Sequence, residues 1–181
     1  MKTRKITCMA VLAALSVVLV AVIHIPMPAP ISFLEYDPAD IPILICGFAF
    51  GPWAALIVTV AAALIQGLTV SAQSGIYGII MHILATGAFS VASAAIYSAH
   101  KNKKQAVISL LVGALARLVL MFGANLVITP FFMMGAVNTE TTKTVLNLMP
   151  FILLFNLGST VINGGITFLV DKRVSPILHK A

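Results

Sequence analysis

The stretch LEYDPADIPILICGFAFGPWAALIVTVAAALIQGL, Leu34–Leu68, decides how many times this chain crosses a membrane. From Pro38 onward it is either one long helix or two short ones. Gly51-Pro52 favours two, because glycine ends helices and proline suits the first position of the next one. The first piece also has a marked start. Asp37 is an N-cap, Pro38 suits the first turn, and Asp40 at the third position resembles a capping box with a shorter acid. Pro38–Phe50 would be only about 20 Å long. It can serve as a span only if it tilts or packs against other helices.

Composition places the whole chain in a membrane. Of 181 residues, 60% are hydrophobic and 9% charged, with mean hydropathy +1.08. A soluble domain carries about 25% charged residues. Such a chain cannot cover a water-facing surface, and its length suits one transmembrane domain, 1–181. The net charge of +6 forms no basic stripe, so it carries topology information and does not mark a nucleic-acid surface.

Outside the quoted stretch, long apolar segments run at about 6–25, 76–99, 106–129 and 145–170. With 38–50 and 52–68 they make six helices of an all-α integral membrane protein. Basic residues support that count. Lys2, Arg4 and Lys5 precede the first helix, Lys101, Lys103 and Lys104 lie between the fourth and fifth, and Lys172, Arg173 and Lys180 follow the last. Six spans put all three clusters, and both termini, in the cytoplasm, whereas five would split them. The first segment has a basic start like a signal peptide. It is 20 residues long with no clear small-residue cleavage site, and reads as a retained helix.

The outer loops are then about 24–37, 69–75 and 130–144. The first holds Pro26, Pro28 and Pro30, the apolar Phe33 and Leu34, Tyr36, and the acids Glu35 and Asp37. It is either a lid over a pocket or a rigid interfacial connector, and composition slightly favours the connector.

Polar residues inside the helices point to a site. In the last helix Asn156, Ser159, Thr160, Asn163 and Thr167 follow helical spacing and form one stripe. Counting along each helix puts Gln66, His82, Asn125, Asn156 and Ser159 in the outer half of the membrane, on four different helices. Convergent polar groups in an apolar bundle fit a small-molecule site open to the outside. Taken singly, each is as well explained as interhelical glue. That reading is preferred for the deeper Asn163 and Thr167. Gly158, Gly164 and Gly165 imply close approach of a neighbouring helix or a ligand. Arg117 lies near mid-membrane with no acid expected at its depth. It either binds an anionic part of a substrate, satisfies backbone carbonyls, or snorkels inward, with a structural role narrowly favoured. Ala10 and Ala14, with Ala13 beside them, let another helix or a partner subunit approach closely.

Absences narrow the class further. The sequence has no G-x-x-x-x-G-K-[ST] phosphate loop, no Cys/His cluster of metal-ligand spacing, no pair of membrane carboxylates and no nucleophile–base–acid set. Cys8 and Cys46 read as small buried hydrophobes. No metal or cofactor is implied. A six-helix protein with an outward pocket and no motor suggests a binding subunit that borrows its energy.

The sequence resembles the substrate-binding S components of energy-coupling factor (ECF) vitamin transporters, closest to the riboflavin-specific branch. The residues that carry the resemblance are the acid and D-I-P start of Leu34–Leu68, its F-G-P, the segment ANLVITPFFM at Ala124–Met133, and the Phe155-Asn156 pair. The alanines of the first helix fit the motif that S components use against their transmembrane coupling subunit. The resemblance implies a six-helix bundle in the bacterial cytoplasmic membrane, with a pocket closed by the first loop. It also implies a vitamin ligand, a coupling subunit and two cytoplasmic ATPases. Asn125 and Asn156 would bond a heteroaromatic substrate, with Ser159, Gln66, His82, Tyr36 and Arg117 as further candidate contacts. There are departures from the riboflavin branch. Ser159 stands where a lysine is usual, Gln66 and His82 where asparagines are, and Arg117 where an apolar residue is.

The resulting expectation is a vitamin-binding subunit, not an enzyme, with riboflavin first and a pyridoxine- or pantothenate-like vitamin next. A small membrane enzyme, or an assembly subunit without ligand, are the alternatives of other classes.

Overall fold

The chain breaks at Gly51. Its φ of 93° and ψ of 176° lie in a region that side chains other than glycine's scarcely tolerate. The Gly51 N–H closes the preceding helix on the Gly47 carbonyl, and Pro52 opens the next. The structure, a computed structural model, describes residues 2–179. Lys180, counted in the last basic cluster, lies outside the described residues, as do the side chains of Lys2, Lys172 and Arg173.

The elements in order are α1 (Lys2–Val22), β1 (Ile25–Pro26), β2 (Glu35–Tyr36), α2 (Asp40–Phe50), α3 (Pro52–Leu68), α4 (Gly75–Ala99), α5 (Lys103–Met134) and α6 (Thr139–His179). Among the described residues, four stretches are long and apolar enough to cross a membrane: Thr3–Val22, Ala72–Ala99, Lys103–Phe132 and Thr139–Asp171. Helices α2 and α3 are shorter. Nearly every residue of α2 is buried, from Asp40 and Pro42 to Ala49. It is therefore surrounded by protein, which explains how a helix of 11 residues persists in an apolar setting. The outside of the bundle is apolar, with Leu111, Leu115, Val119, Leu154, Val161 and Leu169 exposed, as a lipid-facing surface requires.

Several ends differ from the sequence reading. The helix expected to stop near Thr129 continues through Pro130 to Met134, where Gly135 ends it in the left-handed conformation with φ 74°. A proline near a helix end costs one backbone hydrogen bond, which apolar helices tolerate. The last helix starts at Thr139 because Asn138 caps it, its Oδ1 accepting from the N–H groups of Glu140 (3.0 Å) and Thr141 (2.9 Å). The all-α expectation also missed a two-residue antiparallel ladder, Ile25 opposite Tyr36 and Pro26 opposite Glu35, which folds the first loop into a hairpin.

That hairpin is anchored by apolar packing. Ile31, with Met27, Phe33 and Leu34, meets Val145, Met149 and Ile152 of α6. A second core joins Leu12 and Ala13 of α1 to Ile43, Ile45 and Cys46 of α2 and Ala54, Val58 and Ala62 of α3. Polar bonds fix the same junction. Ser16 Oγ donates to the Ala39 carbonyl at 3.0 Å, and Gln66 Nε2 donates to Ser16 Oγ at 3.2 Å. Helix α1 buries Leu12, Ala13, Ser16 and Val20 and leaves Ala10 and Ala14 on its exposed face.

The closest helix approach is not at the glycines singled out in α6. A Cβ at Gly158 or Gly165 would meet open space, and one at Gly164 only ordinary contact with Phe89 at 3.4 Å. At Gly113 of α5 it would lie 2.7 Å from the Phe89 carbonyl oxygen of α4 and nearer still to Ser93 Oγ. Gly113→Ala should therefore destabilise the bundle by about 1–3 kcal/mol through overpacking. Thermal unfolding in detergent should show a lowered Tm for it and little change for Gly158→Ala.

Candidate functional site

The local sequence Asp37-Pro38-Ala39-Asp40 sets up the site. Proline offers no N–H, so Asp37 Oδ1 accepts from the Ala39 N–H two residues on, at 2.8 Å, in an Asx-type turn. The helix then starts at Asp40, and Ala39 at its N-cap has no side chain that can cap. Asp40 does not act as the expected capping acid. Its carboxylate points into the bundle. Oδ1 accepts from Thr86 of α4 at 2.6 Å, and Oδ2 accepts from Arg117 of α5 at 2.7 Å and from Asn163 of α6 at 3.1 Å.

This corrects the reading of Arg117 as a cation with no acid at its depth. Counting along the sequence put Asp40 at the membrane surface, because the short second helix was taken to begin there. In the fold the first loop reaches inward, and α2 begins beside Arg117. The pair is buried, with side-chain exposures of 8% and 5%, so water does little to screen it. Arg117 Nε also donates to Asn156 Oδ1 at 3.0 Å, which holds both groups in a fixed geometry. Asn163 completes the knot. Its Nδ2 donates to the Asp37 carbonyl at 3.0 Å, and its Oδ1 accepts from Tyr36 OH at 2.9 Å. One amide thus ties the hairpin, α2 and α6 together.

Above this network lies a cavity of about 540 Å³, within the size range of small-molecule sites. Its wall is drawn from the hairpin (Phe33, Leu34, Glu35, Asp37), from α3 (Gln66), from α4 (Tyr77, His82, Thr86), from α5 (Arg117, Met121) and from α6 (Phe155, Asn156, Ser159). The 3₁₀ turn Ala72–Ser74 forms the opposite rim, where Gln73 Nε2 donates to Glu35 Oε1 at 3.1 Å. Burial raises the Asp37 carboxyl above the usual carboxylate range, partly offset by His82. His82 Nε2 is enclosed and has no hydrogen-bond partner among the described residues. Those residues contain no group of three or more His, Cys, Asp or Glu able to hold a metal ion.

Five of the seven sequence candidates, Gln66, His82, Arg117, Asn156 and Ser159, meet on this wall. The other two do not. Asn125 is fully buried, its Nδ2 donating to the Met121 carbonyl at 2.8 Å and its Oδ1 accepting from Thr129 Oγ1 at 2.9 Å. The Thr129 hydroxyl is in turn 3.0 Å from Tyr77 OH, so Asn125 stands behind a wall residue. Tyr36 is turned toward Asn163. Asp37, Asp40, Tyr77 and Thr86 were missed as cavity residues. A lone arginine in the middle of an apolar segment and a few acids elsewhere are a usable signal, since membrane charges pair with one another.

A family model described as the substrate-specific component of ECF transporters matches residues 4–170. The chain belongs to this family. It is therefore the substrate-binding subunit of a membrane transporter and not an enzyme, and membership implies a vitamin substrate and an ECF module as partner. The S component is 25% identical over 170 residues to the riboflavin transporter FmnP of Bacillus subtilis (strain 168), covering 90% of this chain and 89% of that one. Its fold matches a solved S component of a bacterial ECF transporter with a TM-score of 0.80 and 22% identity, over 98% and 99% of the two chains.

The buried pair under the cavity gives a stability test. Arg117→Met leaves Asp40 charged and unmatched and should cost about 3–5 kcal/mol. Asp40→Asn combined with Arg117→Met should regain part of that loss, as read from Tm in detergent.

Proposed function

We propose that this S component binds riboflavin in the cavity above Asp40–Arg117, with the hairpin side facing out of a bacterial cytoplasmic membrane. The observation that carries the vitamin is the near full-length likeness to a riboflavin transporter. The cavity supports it in kind, because apolar Phe33, Leu34, Met121 and Phe155 suit a flat ring system. Gln66, His82 and Ser159 offer hydrogen bonds to ring carbonyls and nitrogens, and Asn156, whose Nδ2 already donates to the Ile152 carbonyl at 2.9 Å and whose Oδ1 accepts from Arg117, has one N–H left to give. Asn125 and Tyr36 would act from behind the wall by fixing Tyr77 and Asn163. Six spans with both termini inside remain part of this reading, supported by the distribution of basic residues. Ser159, in place of the lysine usual in the riboflavin branch, favours a second reading, an S component for a pyridoxine- or pantothenate-like vitamin.

The partners under this reading are a transmembrane coupling subunit and two cytoplasmic ATPases, with Ala10 and Ala14 on the exposed face of α1 as the contact.

Purified protein should carry or take up riboflavin, seen as flavin absorbance and fluorescence quenching. A colourless preparation that binds no added riboflavin would sink the flavin assignment. Asn156→Ala should weaken binding by about tenfold, the worth of one buried hydrogen bond. Ala14→Trp should abolish co-purification with the coupling subunit while riboflavin titration still gives the parent affinity.

A further inference from the structure

Arg117 is the one lysine or arginine among the described residues lining the cavity. Its Nη1 stands 2.7 Å from Asp40 Oδ2, and its Nε is held by Asn156 Oδ1. Its charge is matched inside the protein before any ligand arrives. The other carboxyl groups on the wall are Glu35, near the rim, and Asp37, deeper in. Neither end of the cavity therefore offers an unmatched cation of that kind. An anionic group that entered would lose hydration and meet no guanidinium or ammonium free of a carboxylate, the imidazole of His82 being the one other basic side chain among the described residues of the wall. At the rim it would also approach Glu35. Neutral groups meet no such obstacle, because Gln66, His82, Asn156 and Ser159 can all bond uncharged donors and acceptors.

We propose that the cavity takes ligands whose enclosed part is uncharged and discriminates against phosphate monoesters and carboxylate-bearing vitamins, because Asp40 already holds Arg117. The proposal rests on the reading of this cavity as the vitamin site, but not on which vitamin fills it. It also separates the second-choice ligands, admitting a pyridoxine-like vitamin and rejecting a pantothenate-like one.

The test is equilibrium binding of paired ligands to the purified full chain in detergent. The pairs are riboflavin with riboflavin 5′-phosphate and pyridoxine with pyridoxine 5′-phosphate, and pantothenate is measured alone. The uncharged member of the pair that binds should be favoured by about tenfold or more. Asp40→Asn, which frees Arg117, should narrow that preference severalfold. Ser159→Lys, which adds a cation to the same wall, should do the same and keeps the test open if Asp40→Asn fails to fold. An ester or pantothenate binding as tightly as the uncharged vitamins would overturn the proposal. So would an unchanged preference in both folded variants. If riboflavin fails while pyridoxine binds better than its ester, the riboflavin assignment falls and this proposal stands.

Discussion

A carboxylate and a guanidinium in contact, closed off from water, set the terms for the rest of this molecule. Asp40 and Arg117 lie 2.7 Å apart with almost no exposure, and neither would be tolerable there alone. Thr86 and Asn163 donate to the carboxylate and Asn156 accepts from the guanidinium, which brings in α4 and α6. Helices α2, α4, α5 and α6 are therefore held in one relative position by charge-assisted bonds. Apolar packing between lipid-facing helices could not supply such directional control, because lipid tails compete for the same contacts.

The site inherits its precision from that knot. Asn156 and Arg117 line the cavity while bonded to each other, and Asn156 is also bonded to the Ile152 carbonyl, so the amide is held in one rotamer. The hairpin is positioned by the same network, since Asn163 bonds both the Asp37 carbonyl and Tyr36 OH. Ile31 and its neighbours then press the hairpin onto α6. At the exposed rim the hairpin is joined to the 3₁₀ turn through Gln73 and Glu35.

Much of this could be read along the chain where the chemistry is local. Gly51-Pro52 punctuates the backbone whatever surrounds it. The polar stripe from Asn156 to Thr167 follows helical spacing, and all five of its residues are buried. What escaped reading was long-range. Depth counted from a span's end misplaces Asp40, because α2 starts inside the bundle and not at its surface. Asn125 looked available until its own helix and Thr129 occupied both ends of its amide. Gly113 resembles other glycines in an apolar run, and only the neighbouring Phe89 carbonyl shows why a side chain does not fit. The short ladder of the hairpin involves two residues a strand, too few to leave a periodic signal.

Asp40 and Arg117 are 77 residues apart in the chain. During synthesis α2 is made long before α5, so the acid spends that interval without its base. An 11-residue helix bearing an unmatched carboxylate has little reason to settle among lipids by itself.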